Sequence, residues 1–440
     1  MWSVSCEVRM SLDPLVYVCV MSNFNLPEWE ACLARRPSDV VLLVSDGFEA
    51  AQKGAEHMQT LLYERLPGVR VYRPASKTLA LQGDDALAAQ VWLQQVLMPY
   101  LDHSELAGKP RVLNMTGGTK SMQLALLTTI RWDQLDYTPY RSGKVQAIGL
   151  AAPPLGALSD LGSDALQPAS AEEVARLYND SVTFDPPNLL WQRPSSLELA
   201  DENAALAEMF AALSRLWVDG SAEKAWQQAE LSLGWEEFLG SGVSKPDGEL
   251  LVWLEAVARL APECWSISEA GIRLPGSLPD SKMKKYSIQY ALKRWLQSDW
   301  WEGLAHARLL EAGVPKRAVA CNVHAGEEAR KSSTQREADL LVHHWGRTTV
   351  VEVKVLQAPG QAPREMENQV SALAERFGRT DKVLLVSPLV KRSLKESQWN
   401  DFTARCRANK VSLCEDRDAL LQAVGAADTT TGGAGEDPLA

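Results

Sequence analysis

Hydrophobic positions fall into two alternating kinds of segment over the first 150 residues. Residues 15–21 (LVYVCVM) and 40–44 (VVLLV) are unbroken apolar runs rich in β-branched side chains, and residues 69–72 (VRVY) and 111–114 (RVLN) are shorter runs of the same type. Between them, residues 48–66 and 84–101 place apolar side chains at helical spacing. Strands apolar on both faces and separated by helices predict a parallel sheet covered on both sides. The expected fold class is α/β, beginning with a Rossmann-like, doubly wound domain.

The rhythm then changes. Residues 151–200 are punctuated by Ala-Ala-Pro-Pro, Asp-Pro-Pro and Arg-Pro and read as a connector. From about 199 to 279 the chain is acidic and helical in pattern, with Trp217, Trp226, Trp235, Trp253 and Trp265 expected in its core. A small helical or winged-helix module fits that stretch. Residues 286–312 form a further helical pattern, and strand patterns return from Glu337. The tail from Ala426 is rich in Gly and Thr, and its expected state is disorder. The expected layout is a first α/β domain at 12–155, a connector and Trp-rich segment at 156–285, a second α/β domain at 286–425 and a tail at 426–440.

A chain of 440 residues has room for two or three domains, and 46% hydrophobic with 23% charged residues excludes wholesale disorder. No stretch approaches ~20 uninterrupted apolar residues, and the start lacks the pattern of a signal peptide. Seven scattered cysteines without a CxxC pair argue against zinc ribbons and a disulfide framework, so the expected compartment is the cytoplasm. The net charge of −11 is unevenly spread: −2 over residues 1–160, −13 over 161–280, +9 over 281–410 and −5 over 411–440. A basic block within an acidic chain is where a polyanion would be met, although a solvated surface has the same composition.

The first chemical constellation is Asn114-Met-Thr-Gly-Gly-Thr-Lys-Ser-Met122, which follows a predicted strand and opens a predicted helix at 121–132. Gly117 and Gly118 allow a sharp turn that presents N–H groups, and the helix start adds unpaired donors. Thr116 and Thr119 carry hydroxyls and Lys120 a charge. At the carboxyl end of a parallel strand this suits a phosphate. Ser22, Asn23 and Asn25 after the first strand, and Ser45 and Asp46 after the second, are expected at the same edge. A P-loop would need Gly-Lys-Ser/Thr, and no GxGxxG is present, so neither nucleotide motif applies. A plain helix cap would use the same TGGT residues.

The second constellation lies in residues 336–355. Two strand-like runs flank Trp345-Gly346, a hairpin turn. With that two-residue loop, Asp339 falls opposite Glu352, their Cβ atoms about 5 Å apart. Like charges so placed repel, and a divalent cation reverses the sign. A loop one residue longer or shorter would shift this register. Glu352 and Lys354 share one face while Val351 and Val353 take the other. Oxygen ligands of this kind suit Mg²⁺ or Mn²⁺, and the amine would position water or stabilise a phosphorane-like state. Glu302, on the preceding helical segment, is either a further ligand or a surface residue, and Glu337 is a weaker alternative. His343 and His344 point to opposite faces, which disqualifies them as joint ligands.

Asp339 followed by Glu352-Val353-Lys354 resembles the PD-(D/E)xK restriction-endonuclease-like active site. The TGGTK loop resembles the motif of CARF domains, the ligand sensors of type III CRISPR systems. Both in one chain, in this order, resemble the CRISPR-associated CARF nucleases activated by cyclic oligoadenylate, over about residues 12–150 and 286–390. That resemblance implies a homodimer binding one cyclic oligoadenylate, most often cyclic tetra-adenylate, through Thr116, Gly117, Gly118, Thr119 and Lys120, completed by Ser22, Asn23, Asn25, Ser45 and Asp46. It implies a Mn²⁺- or Mg²⁺-dependent endonuclease acting on DNA or RNA in antiviral defence, with Asp339, Glu352 and Lys354 as its motif residues and Glu302 as its helix glutamate. The rival expectations are a ligand-gated transcription regulator without catalysis, which the −13 segment disfavours, and a ligand-independent repair or restriction nuclease.

Overall fold

The computed structural model describes residues 12–103, 105–139, 144–150, 159–161, 169–184, 230–234, 266–275, 300–325, 337–354, 363–387, 390–391 and 394–426. The five tryptophans of the acidic stretch, the helical pattern over 286–299 and the tail beyond 426 lie outside the described residues.

The first apolar runs become β1 (Asp13–Val20), β2 (Pro37–Leu43), β3 (Arg70–Tyr72) and β4 (Arg111–Asn114), followed by β5 (Gln134–Tyr137), β6 (Val145–Gly149) and β7 (Ser159–Leu161). They form one sheet in the order β3-β2-β1-β4-β5-β6-β7. Strands β3 to β5 run parallel, as their two-sided apolar pattern predicts, whereas β6 and β7 join antiparallel at the edge. The sheet is thus mixed rather than purely parallel. Helices α1 (Leu26–Arg35) and α2 (Glu49–Arg65) cover one face around Tyr17, Trp29, Leu42 and Met58. Helices α3 (Ala86–Trp92), α4 (Met98–His103) and α5 (Lys120–Thr129) cover the other around Val18, Leu43, Trp92 and Leu113. The single helix expected over 84–101 is interrupted by a π turn at Leu93–Leu97. Helix α5 starts at Lys120 and ends at Thr129, three residues short of the expected Trp132.

Helix α6 (Ala171–Tyr178) lies in the expected connector and opens on a capping box in which Ser170 and Glu173 exchange hydrogen bonds of 2.8 and 3.1 Å. Its Val174 and Leu177 enter the first core, while Ala171 and Ala175 enter a second. Strand β8 (Val182–Phe184) follows and pairs antiparallel with β12 (Val319–Ala325). The C-terminal sheet therefore takes its edge strand from residues that the sequence places in the connector, because a three-residue strand is too short to show a period. Within that connector and Trp-rich stretch, β9 (Glu230–Gly234), β10 (Ser266–Ser268) and β11 (Gly271–Pro275) make a small antiparallel sheet.

The second large sheet runs β16-β15-β14-β13-β12-β8, where β13 is Glu337–His344, β14 Arg347–Lys354, β15 Asp381–Val386 and β16 Val411–Cys414. Strands β12 to β14 are antiparallel, and β14 to β16 are parallel. Helices α7 (Trp300–Glu311), α8 (Pro363–Ala374), α9 (Glu396–Ala408) and α10 (Arg417–Ala423) complete the unit. Met366, Val370, Phe377, Leu384 and Phe402 fill its core. No helix among the described residues is long and apolar enough to cross a membrane.

Candidate functional site

The carboxylate site grows from the β13–β14 hairpin. Trp345 and Gly346 have φ of 50° and 69°, both in the left-handed region, which makes a two-residue turn whose twist matches that of the strands. The pairing that follows runs from His344↔Arg347 to Leu340↔Val351, the register expected from the sequence. It stops there. At the next step, where Asp339 stands opposite Glu352, the Val353 N–H donates to Asp339 Oδ2 at 2.6 Å instead of to a backbone carbonyl.

Lys354 Nζ lies 2.5 Å from Glu352 Oε1, so the shared face expected for these two residues is observed. Glu352 is 1% exposed, and its other oxygen, Oε2, is buried without a hydrogen-bond partner. Burial and the Glu352 charge push the Asp339 carboxyl well above the usual carboxylate range, against the pull of Lys354 and the Val353 N–H. Burial also raises Glu352, opposed by Lys354. Burial works against a charged Lys354, yet Glu352, Asp339 and Glu302 together hold its pKa above the ordinary value. Glu302 is buried on α7 and acts on both Lys354 and Cys321, which places it beside the same group. The structure thus brings Asp339, Glu352 and Lys354 together, with Glu302 within electrostatic reach on α7.

No group of three or more His, Cys, Asp or Glu side chains poised to hold a metal ion occurs among the described residues. Two carboxylates with an unmatched buried oxygen nevertheless fit a hard cation that keeps most of its own waters. His343 is buried, bonded through Nδ1 to Thr348 Oγ1 and through Nε2 to Glu30 of α1, both at 3.0 Å. That is a structural use, as its strand position implies.

The loop site lies at the carboxyl ends of β1, β2 and β4. Gly118 has φ 79°, and a Cβ there would stand 2.5 Å from Val20 Cγ1. A Cβ on Gly117 would meet Glu28 Oε1 at 2.2 Å and the Val20 carbonyl at 2.4 Å. Both glycines are required because the loop packs directly on the sheet and on α1. Thr119 caps α5 by accepting from Met122 N–H at 3.1 Å, and its hydroxyl donates to the Gly83 carbonyl. Thr116 Oγ1 accepts from Thr138 N–H at 2.8 Å. Asp46 Oδ2 accepts from Leu81 N–H at 2.5 Å, and Ser45 Oγ faces Gly83. Asn25 is 2% exposed and accepts from Ser22 N–H at 2.8 Å, so it shapes its loop from within. Asn23, Gly118, Thr119 and Lys120 are exposed, and among the described residues Lys120 pairs with no carboxylate. The site residues expected here are gathered at one edge, but the threonines, Asn25 and Asp46 spend their polar groups in joining the loops.

Four features escaped the sequence reading. Phe24 and Phe48 stand exposed in the loops after β1 and β2, where an aromatic residue next to polar neighbours was the available signal. Gln123, one turn into α5, donates to the Gly117 carbonyl. Glu28 is wholly buried against Gly117, neither carboxyl oxygen has a hydrogen-bond partner on another described residue, and burial pushes its pKa up to about 8. Nothing in its position distinguishes it from an ordinary acid in the first turn of a helix.

No family model matches this chain, and no curated protein matches it. Solved structures do. Can2 from Sulfobacillus thermosulfidooxidans, determined in complex with cyclic tetra-adenylate, superposes with a TM-score of 0.57 at 16% identity, over 93% of this chain and 95% of that one. The chain shares the fold of Can2. Protein VC1899 from Vibrio cholerae superposes with a TM-score of 0.62 at 15% identity, over 94% of this chain and 98% of that one. At such identities the likeness is one of fold, and it agrees with the CARF-nuclease architecture that the two motifs resemble.

Proposed function

We propose that this protein is a divalent-metal-dependent endonuclease of CRISPR antiviral defence, switched on by a cyclic oligoadenylate, most specifically cyclic tetra-adenylate. The observation that carries the catalytic half is the buried Asp339–Glu352–Lys354 group, in which two carboxyls stand beside one ammonium and one Glu352 oxygen has no hydrogen-bond partner. A Mn²⁺ or Mg²⁺ ion held by Asp339 and Glu352 would orient water and offset the charge that develops on a scissile phosphate. Lys354, kept protonated, is placed to hold the phosphate or the attacking water. Glu302 reinforces that protonated state and would orient solvent near a bound ion.

The ligand half rests on the loop edge and on the fold shared with Can2, which was solved with cyclic tetra-adenylate. Gly118 and Thr119 present the start of α5, and Lys120, paired with no carboxylate among the described residues, offers a positive charge for a phosphate. Phe24 and Phe48 supply flat apolar faces on which adenines stack. A second copy of the chain would complete the site. Leu87 and Val91 of α3, with Leu124 and Leu127 of α5, are exposed on neighbouring helices beside the loop and form the apolar surface such a dimer would cover. Gating follows when the ligand binds the active dimer arrangement more tightly than the resting one.

The test is incubation of plasmid DNA and single-stranded RNA with Mn²⁺, with and without cyclic oligoadenylates of different ring size. Cleavage that requires both metal and cyclic tetra-adenylate supports the proposal. Cleavage indifferent to ligand points to a repair or restriction nuclease. Ligand-sensitive DNA binding without cleavage points to a regulator.

A further inference from the structure

Three strands pass the carboxylate site side by side, and their registers align one residue from each. Pairing of β12 with β13 includes Cys321↔Leu340 and Val323↔Ala338, which leaves Asn322 facing Asp339, but that pair itself is missing from the ladder. Asp339 in turn faces Glu352, also without ladder pairing. Asn322 has φ 49°, a left-handed backbone in the middle of a strand, where extended φ is the rule. The alternation of side chains breaks at this row on both strands. Ala320 and Val323, three residues apart, enter the same core, as do Ala338 and Leu341. Residues three apart on an unbroken strand face opposite ways. Asn322 is 3% exposed, and its Oδ1 is buried with no hydrogen-bond partner, so the side chain does not account for the distortion through a bond of its own.

We propose that Asn322 is a positioning residue for Asp339: its left-handed backbone opens the sheet at this row and turns the Asp339 carboxylate onto the Val353 N–H, beside Glu352, instead of letting β13 pair through. Asn is among the few residues other than Gly that adopt this conformation readily. A β-branched residue there favours extended backbone and a closed ladder. The inference rests on the reading of Asp339 and Glu352 as metal-holding residues, and it concerns only how one of them is aimed.

The experiment titrates Mn²⁺ calorimetrically into the full chain and its Asn322→Gly, Asn322→Ala and Asn322→Val variants. Cyclic tetra-adenylate binding and far-UV circular dichroism are followed in parallel. Gly preserves the backbone freedom without the amide, so the Gly variant is expected to keep Mn²⁺ affinity. The Val variant is expected to lose it by roughly 10- to 100-fold, the range typical of residues that orient metal ligands, with ligand binding unchanged. The Ala variant falls between, and it carries the comparison with Gly if the Val variant does not fold. Equal loss in the Gly and Ala variants, or no loss in any, overturns the role of Asn322. A wild-type chain that binds no Mn²⁺ overturns the metal reading itself.

Discussion

The loop edge of the N-terminal sheet and the carboxylate row of the C-terminal sheet are built on opposite principles. At the loop edge Thr116, Thr119, Asn25 and Asp46 each bond neighbouring backbone, which ties the loops together. At the carboxylate row the ladder is interrupted, two acids face each other, and Glu352 keeps a buried oxygen without a partner. The first region leaves exposed backbone and Lys120 at a fixed edge, and the proposed ligand site rests on that arrangement. The second buries two carboxyls beside one ammonium, and the proposed metal site rests on that arrangement. Fixed geometry suits recognition, and a buried oxygen without a partner suits a metal.

This contrast is sharpest in substitutions that should affect one region alone. Replacing Glu352 or Asp339 by Ala is expected to reduce cleavage ~1000-fold or more, measured on plasmid and RNA substrates, with cyclic tetra-adenylate affinity unchanged. Lys120→Ala is expected to weaken that ligand by roughly 10- to 100-fold in a binding titration and leave Mn²⁺ affinity untouched. Loss of Mn²⁺ binding in the Lys120 variant would break the division between the regions. Phe24→Ala and Phe48→Ala should each cost about 1–3 kcal/mol of ligand affinity if adenines stack there, and Trp should restore it.

Acidity separates the regions further. Asp339, Glu352 and Glu28 all have folded-state values raised above their unfolded ones, so the native state binds more protons than the unfolded chain. Their contribution to stability is fully present below the unfolded carboxylate range and is lost as pH rises. For Glu28 that window extends from 4.5 to about 8. Melting temperature in a chelator should therefore fall across this range. Adding Mn²⁺ should remove the part due to Asp339 and Glu352, and Glu28→Gln the part due to the loop. A melting temperature that climbs steadily from pH 5 to pH 8 would contradict this. The smallest expected effect is that of Gly118→Ala, about 1–2 kcal/mol lost for a left-handed residue plus whatever Val20 must give, read by denaturant unfolding.

The hairpin was legible because a period of two and a two-residue loop leave little freedom in register, and His344↔Arg347 through Leu340↔Val351 follow from counting. The TGGT loop was legible because glycine and threonine have few reasons to occur together after an apolar strand. What failed to show was contact between distant segments. Nothing local to Val182–Phe184 says that it will edge a sheet whose nearest strand begins at Val319. Glu28 becomes unusual only when Gly117 is laid over it, and Asn322 only when its backbone turns left-handed opposite Asp339. Among the described residues Cys19, Cys32, Cys321, Cys406 and Cys414 are free thiols.

The most direct measurement is calorimetric titration of Mn²⁺ into the full chain at a series of pH values. Because the Asp339 and Glu352 carboxyls are raised, protons compete with the cation, so Mn²⁺ affinity should weaken as pH falls and should be lost in Glu352→Ala. Mn²⁺ binding that survives unchanged in the Glu352→Ala variant would contradict the assignment of this buried pair as the metal site.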